Sequence, residues 1–173
     1  MTTINNEEWR SISGYLNYQV SNVGRVRNSV SGKILKQSNT GNYKQVSLRG
    51  ADNQYRSQYV HRLVAHEFLD PPEDIVHHCV DHIDRCKTNN YVSNLRWATQ
   101  SQNLMNASKR SNATSKYKGV YWNKEKQKWK ARIYLNGKEI NLGYFSKEDE
   151  AGEAYNQKAD EIFQTYSNPN VIE

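Results

Sequence analysis

Val80-Asp81-His82-Ile83-Asp84 sets an imidazole between carboxylates, and Lys87-Thr88-Asn89-Asn90, Asn94-Leu95-Arg96-Trp97 and Asn103 follow at short range. Hydrolysing a phosphodiester takes a base to activate water, a cation to stabilise the developing charge and the leaving oxygen, and a scaffold that holds both. A neutral imidazole suits the first task near pH 7, and carboxylate and amide oxygens suit a hard divalent ion. Residues of all these types stand together here. A competing use of the neighbourhood is a Cys/His zinc site built from His77, His78, Cys79 and Cys86. Cysteines seven residues apart at the two ends of a turn disfavour it.

These residues need a frame. Between Ile75 and Trp97, two apolar-bearing segments surround the polar loop 84–90, the pattern of a hairpin with a long connection. Thr99-Gln100-Ser101-Gln102 supplies a capping box, so a helix is expected from about Gln100 to about Ser108, with Asn103 in its first turn. Upstream, Tyr15–Val20, Arg25–Arg27 and Tyr43–Leu48 alternate with the period of strands between glycine turns. Leu63, Val64 and Phe68 then fall at helical spacing before Pro71-Pro72. Downstream, 107–114 holds no large apolar residue and reads as a linker. Beyond it, 117–123, 128–135 and 139–145 read as strands, the last two joined by the hairpin signal Asn136-Gly137. Ser146-Lys147-Glu148-Asp149 caps a helix whose stripe is Ala151, Ala154, Tyr155, Ala159, Ile162 and Phe163.

The charge distribution points to a polyanion. The net charge is +6 over 173 residues. From Arg10 to Arg62 nine Lys/Arg stand against one acid, and from Lys109 to Lys138 ten stand against Glu125 alone. Between these blocks, Leu63 to Asp84 holds six acids and no Lys or Arg. Basic surfaces gather phosphate through counterion release, and a carboxylate pocket within a cationic protein can hold a metal ion against it. Two cysteines make no disulfide framework, and neither a membrane span nor a signal core is visible, so a reducing cytoplasm is expected.

In order and spacing, the segment from Val80 to Asn103 resembles the HNH motif of phage and intron-encoded homing endonucleases, whose fold is a ββα-metal hairpin and helix. Glu8-Trp9-Arg10, Gly14-Tyr15, the run from Tyr18 to Val26 and His61-Arg62-Leu63-Val64-Ala65 resemble the nuclease-associated module that often precedes it. The resemblance implies His82 as general base, Asp81 and Asn103 as ligands of one Mg2+ or Mn2+ ion, and Asn94 as the brace that orients His82; Asn106, three residues beyond Asn103 on the same helix face, is a reserve ligand. Its members usually carry Gly and Asn where this chain has Arg85 and Cys86. Tyr117-Lys118-Gly119-Val120, Trp129–Ile133, Leu142–Phe145 and Glu150–Asn156 are similar to the DNA-binding domain of plant ethylene-response factors, in which a three-stranded sheet enters the major groove. Positions matching its contacts are Lys118, Tyr121, Asn123, Lys130, Arg132 and Tyr134, and Arg25 and Arg27 are further candidates in the first basic block.

The expectation is therefore an α+β chain. Residues 1–106 form an HNH half (8–60 a β-rich module, 61–106 the ββα-metal core), 107–114 a linker, and 115–173 a three-stranded antiparallel sheet backed by one helix. Its expected activity is site-directed, metal-dependent cleavage of double-stranded DNA by a monomer. The alternatives are a DNA-binding regulator with a degenerate nuclease site and a nonspecific nuclease.

Overall fold

The computed structural model describes residues 7–109 and 114–172. The chain divides into two compact units between Trp97 and Ala98. The first begins with two small antiparallel sheets, one of β1 (Trp9–Ile12), β2 (Tyr15–Ser21) and β3 (Val26–Asn28), the other of β4 (Ser38–Thr40), β5 (Tyr43–Arg49) and β6 (Tyr55–Tyr59). Strand alternation turns Val20, Val26, Val46 and Leu48 inward. They meet Val60, Leu63 and Val64 of α1 (Val60–Phe68), which starts where β6 ends, and Leu95. Each such side chain contributes roughly 1.5–3 kcal/mol by leaving water. A two-stranded ribbon, β7 (His78–His82) with β8 (Leu95–Thr99), follows. Its long connection is the polar loop expected from the sequence.

The second unit opens with α2 (Gln100–Asn106), whose Thr99 hydroxyl and Gln102 side chain form the expected reciprocal capping box. β9 (Val120–Asn123), β10 (Lys128–Leu135) and β11 (Lys138–Phe145) make an antiparallel sheet in the order β11-β10-β9, with α3 (Glu148–Phe163) after it. Asn136 and Gly137 both take positive φ, as their tight hairpin requires. Ile133 packs with Tyr155, Ala159 and Phe163, and Ala131 with Tyr117, Val120 and Ala151. Gly119 has φ +77, and a Cβ there would lie 2.1 Å from the Tyr155 ring, so only glycine lets that ring pack.

Several boundaries differ from the sequence reading, and three of them have a visible cause. The strand expected from Tyr117 begins at Val120, because Ser115 Oγ and the Lys116 N–H donate to Glu148 and the Tyr117 hydroxyl to Asp149. These bonds draw the segment to the start of α3 instead of into the ladder. The helix expected to reach Ser108 stops at Asn106, where the ammonium of Lys118 takes the carbonyls of Met105 and Ala107. At α3 the N-cap is Lys147, without a side-chain cap, so Ser146 does not serve as one; Glu148, Asp149 and Glu150 in the first turn complement the helix dipole. The expected linker 107–114 lies partly outside the described residues. Its described start is tied to the second unit through Ala107, and the division between units falls within β8.

Candidate active site

Asp81 and His82 end β7, 5% and 4% exposed respectively. The guanidinium of Arg96 on β8 reaches Asp81 Oδ2 through Nε at 2.9 Å and Nη2 at 2.8 Å, a charge-assisted clamp that fixes the carboxylate's direction. His82 Nε2 lies 3.1 Å from Asn90 Oδ1, and its ring sits 5.2 Å from that of His61 and 6.1 Å from that of Tyr43. His61 is itself buried among aromatic rings, with Tyr43 at 4.9 Å and Tyr59 at 5.5 Å. Burial, aided by the nearby charges of His82 and Arg62, pushes its pKa down to about 3, so it packs as a neutral ring. Its Nδ1 is buried without a hydrogen-bond partner among the described residues.

The loop after His82 is organised by Asp84. Its carboxylate accepts from the Cys86 N–H at 2.7 Å, Asn89 Nδ2 at 2.6 Å and Asn94 Nδ2 at 2.9 Å, while its own N–H donates to Asn94 Oδ1 at 3.0 Å. Burial works to raise the Asp84 pKa, but these bonds prevail and hold it below the ordinary carboxylate value. Asn94 also donates to the Asn89 carbonyl at 2.8 Å, so it braces the loop. It does so through Asp84 and Asn89, whereas Asn90 is the residue that meets the imidazole. Sequence reasoning missed Asp84 and Asn90, although both lie in the motif it singled out, because a polar loop gives no sign of which amide turns inward.

The description "HNH endonuclease" matches residues 58–105, and that of the NUMOD4 motif matches residues 7–49. Similar proteins include DNA endonuclease I-HmuI of Bacillus phage SP01, 43% identical over 102 residues that are 57% of this chain and 56% of that one. An uncharacterized HNH endonuclease of Acanthamoeba polyphaga mimivirus is 39% identical over 113 residues, 62% of this chain and 28% of its own length. The solved structure titled as DNA binding and cleavage by the HNH homing endonuclease I-HmuI superposes with a TM-score of 0.51 at 41% identity, over 57% of this chain and 56% of that one. Residues 58–105 are thus similar to HNH endonucleases. It spans between about a quarter and just over half of the curated relatives it matches.

Of the residues expected at the site, Asp81, His82 and Asn94 come together in the first unit, while Asn103 is half-buried on α2 and Asn106 is buried one turn on, both in the second. Arg85, where the resemblance leads one to expect a glycine, adopts the left-handed conformation itself at φ +65, and its N–H donates to the His82 carbonyl at 2.9 Å. The turn is kept at the cost of strain in a non-glycine residue. Beside the loop, a cleft of about 430 Å³ is lined by Lys44, Arg85 and Lys87 with Asn39, Asn42 and Thr88. Lys44 lies far in sequence from Arg85 and Lys87, so no local motif unites the three. Cys79 is half-buried, with burial raising its thiol pKa, and Cys86 is exposed beside Thr88. Among the described residues no three His, Cys, Asp or Glu side chains cluster as a metal cage. In the NUMOD4 segment, Arg27 lies 4.2 Å over the Trp9 ring and bonds Gln19, and Arg25 pairs with Glu7, so both are partly committed to packing.

In the second unit the outward positions of β10 are Lys130, Arg132 and Tyr134, with Tyr121 opposite Lys130 on β9 and Glu139 opposite Tyr134 on β11. The Glu139 carboxylate accepts from Lys130 at 2.7 Å, Arg132 at 2.6 Å and the Tyr134 hydroxyl at 2.9 Å, which together hold its pKa down to about 2. Asn123 Oδ1 accepts from the Lys126 N–H and shapes the β9–β10 turn. The Lys118 ammonium donates to the carbonyls of Met105, Ala107 and Asn168 and so staples the unit.

Proposed function

We propose that the chain is a DNA endonuclease of homing type, which hydrolyses a phosphodiester of double-stranded DNA with His82 as general base and one divalent ion. The observation that carries this is the buried pair at the end of β7: an Asp81 carboxylate aimed by Arg96 and an imidazole aimed by Asn90, on a loop fixed by Asp84. Asp81 and Asn103 are the proposed ligands. A carboxylate and an amide oxygen suit a hard ion such as Mg2+, which when bound would stabilise charge on the phosphate and on the leaving oxygen. His82 then takes the proton of the attacking water, and the cations of the adjacent cleft, Lys44, Arg85 and Lys87, hold the backbone of the strand. That DNA is bound and cleaved by I-HmuI, to which this region is similar, supports the same substrate here.

The sheet of the second unit is proposed as a DNA reader of the ethylene-response-factor kind, with Tyr121, Asn123, Lys130, Arg132 and Tyr134 toward the groove. Its support is the outward row of cations and tyrosines on β10, with the acids of α3 placed elsewhere in sequence. A DNA-binding regulator with a degenerate nuclease site loses its main argument, since Arg85 preserves the turn that a glycine would make.

The test is metal-dependent nicking of supercoiled plasmid. His82→Ala lowers strand cleavage at least ~100-fold with DNA affinity little changed, the scale of a lost general base. Asp81→Ala and added EDTA each abolish cleavage, EDTA without unfolding the chain. Near-normal cleavage by His82→Ala would remove this residue from the mechanism.

A further inference from the structure

We infer that Asn90 is a positioning residue that fixes the imidazole of His82 in its Nε2–H tautomer, and that the Ser21–Arg25 turn of the NUMOD4 segment holds Asn90 in place. The inference rests on the proposed role of His82 as base. Both side chains are buried, His82 and Asn90 each at 4% exposure, so their contact is not exchanged for water. His82 Nε2 and Asn90 Oδ1 are 3.1 Å apart. An amide oxygen can only accept, so this contact is attractive only when Nε2 carries the proton. In a neutral imidazole the lone pair then belongs to Nδ1, which becomes the basic atom. The opposite tautomer would set two lone pairs against each other in a buried site.

Asn90 is held from the other side by a turn far away in sequence. Gly24 has φ +80, and a Cβ built on it would lie 2.7 Å from Asn90 Cβ and 3.0 Å from Asn90 O. The glycine is therefore needed twice, for its backbone and for the closeness of Asn90. The turn is firm: Gly24 N–H donates to the Ser21 carbonyl, Arg25 N–H to Ser21 Oγ, and Gln37 Nε2 to the Gly24 carbonyl at 2.7 Å. Next to it, the Val92 N–H donates to the Asn22 carbonyl at 2.8 Å, tying the loop beyond Asn90 to the same segment. Asn89, the other neighbour of Asn90, is fixed by Asp84. The NUMOD4 segment thereby reaches the reacting imidazole through one amide, which gives it a part in the chemical step apart from any contact with DNA.

The experiment uses the full chain with 15N-labelled histidine, the His82 signals being assigned by their loss in His82→Gln. Above its protonation range the wild-type ring shows a protonated Nε2 and an unprotonated Nδ1. Asn90→Leu removes the acceptor at similar volume, mixes the tautomers and lowers kcat roughly tenfold or more with KM within about twofold, since a misaimed group costs rate rather than binding. Asn90→Asp restores an acceptor and the Nε2–H form. Gly24→Ala, which touches neither ring, moves the His82 signals in the direction of Asn90→Leu and also lowers kcat. A protonated Nδ1 in the wild-type ring overturns the inference, as does a folded Asn90→Leu with unchanged tautomer and kcat. If Asn90→Leu does not fold, the wild-type and Gly24→Ala spectra decide. The tautomer is read without cleavage, so a failure of this inference is distinct from normal cleavage by His82→Ala, which overturns the base assignment instead.

Discussion

At the scale of single residues, the site holds groups in states they would not choose in water. His61 is neutral among Tyr43, Tyr59 and His82, its pKa lowered from 6.5 to about 3 chiefly by burial. The unfolded chain takes up a proton there as pH falls through 6.5, and the folded chain does not until near pH 3. This contribution to stability is complete above about pH 6.5 and is lost as pH falls, by at most about 1.4 kcal/mol per unit. Denaturant melts at pH 7 and pH 5 should show a smaller loss for His61→Phe than for wild type, and equal losses would contradict the buried neutral ring. Arg85 stores strain of another kind. Arg85→Gly relieves the left-handed backbone at φ +65 and should raise stability by about 1 kcal/mol, read as an upward shift of the denaturant midpoint. The sequence disclosed His82, Asp81 and Asn94 because their types and spacing are those of a chemistry. It did not disclose Asn90 or Gly24, since a turn glycine and a loop asparagine have many uses and only contact across the fold selects one.

At the scale of elements, period-2 alternation, the capping box at Thr99 and the Asn136-Gly137 turn were legible because each is a local bond or a local steric fact. The start of β9, the end of α2 and the cap of α3 were not, because Glu148, Asp149 and the carbonyls beneath Lys118 recruit those residues from a distance. The sheet face carries the same lesson. From sequence, β10 offers Lys130 and Arg132 to DNA; in the structure Glu139 on β11 engages both. A carboxylate set among the proposed phosphate contacts repels the polyanion and competes for its partners. Glu139→Gln should therefore tighten binding to duplex DNA and steepen the salt slope of log K by about 1 unit, the effect of one more phosphate contact. Lys130→Ala with Arg132→Ala should lower that slope by roughly 1 to 2 units on target and scrambled duplexes alike. An unchanged slope in the double mutant would show that these residues do not meet phosphate.

At the scale of the whole molecule, charge blocks and motif order announce two units, but composition alone puts their junction at 107–114, where large apolar residues are missing. Packing assigns it differently, because α2, capped and short, has its own partners in the second unit. Met105 is buried with Ile133, Tyr155 and Phe163, its sulfur 3.5 Å from the Tyr155 hydroxyl. The carbonyls of Met105 and Ala107 hold the Lys118 ammonium, and Ser101 Oγ meets the Asn136 N–H at the hairpin turn. A seven-residue helix is marginal by itself, so these contacts are what keep it formed. The expected consequence concerns where the second unit can be cut. A fragment of residues 98–173 should melt cooperatively, whereas one of residues 115–173 exposes the faces of Tyr155 and Ile133 that Met105 covers and leaves Lys118 without two acceptors. Loss of the buried methionine alone costs roughly 1.5–3 kcal/mol. Urea melts of the two fragments, followed by tryptophan fluorescence from Trp122 and Trp129, should place the shorter one at a clearly lower midpoint. Equal midpoints would mean that α2 adds nothing to the second unit and that the sheet and α3 stand as the self-sufficient part.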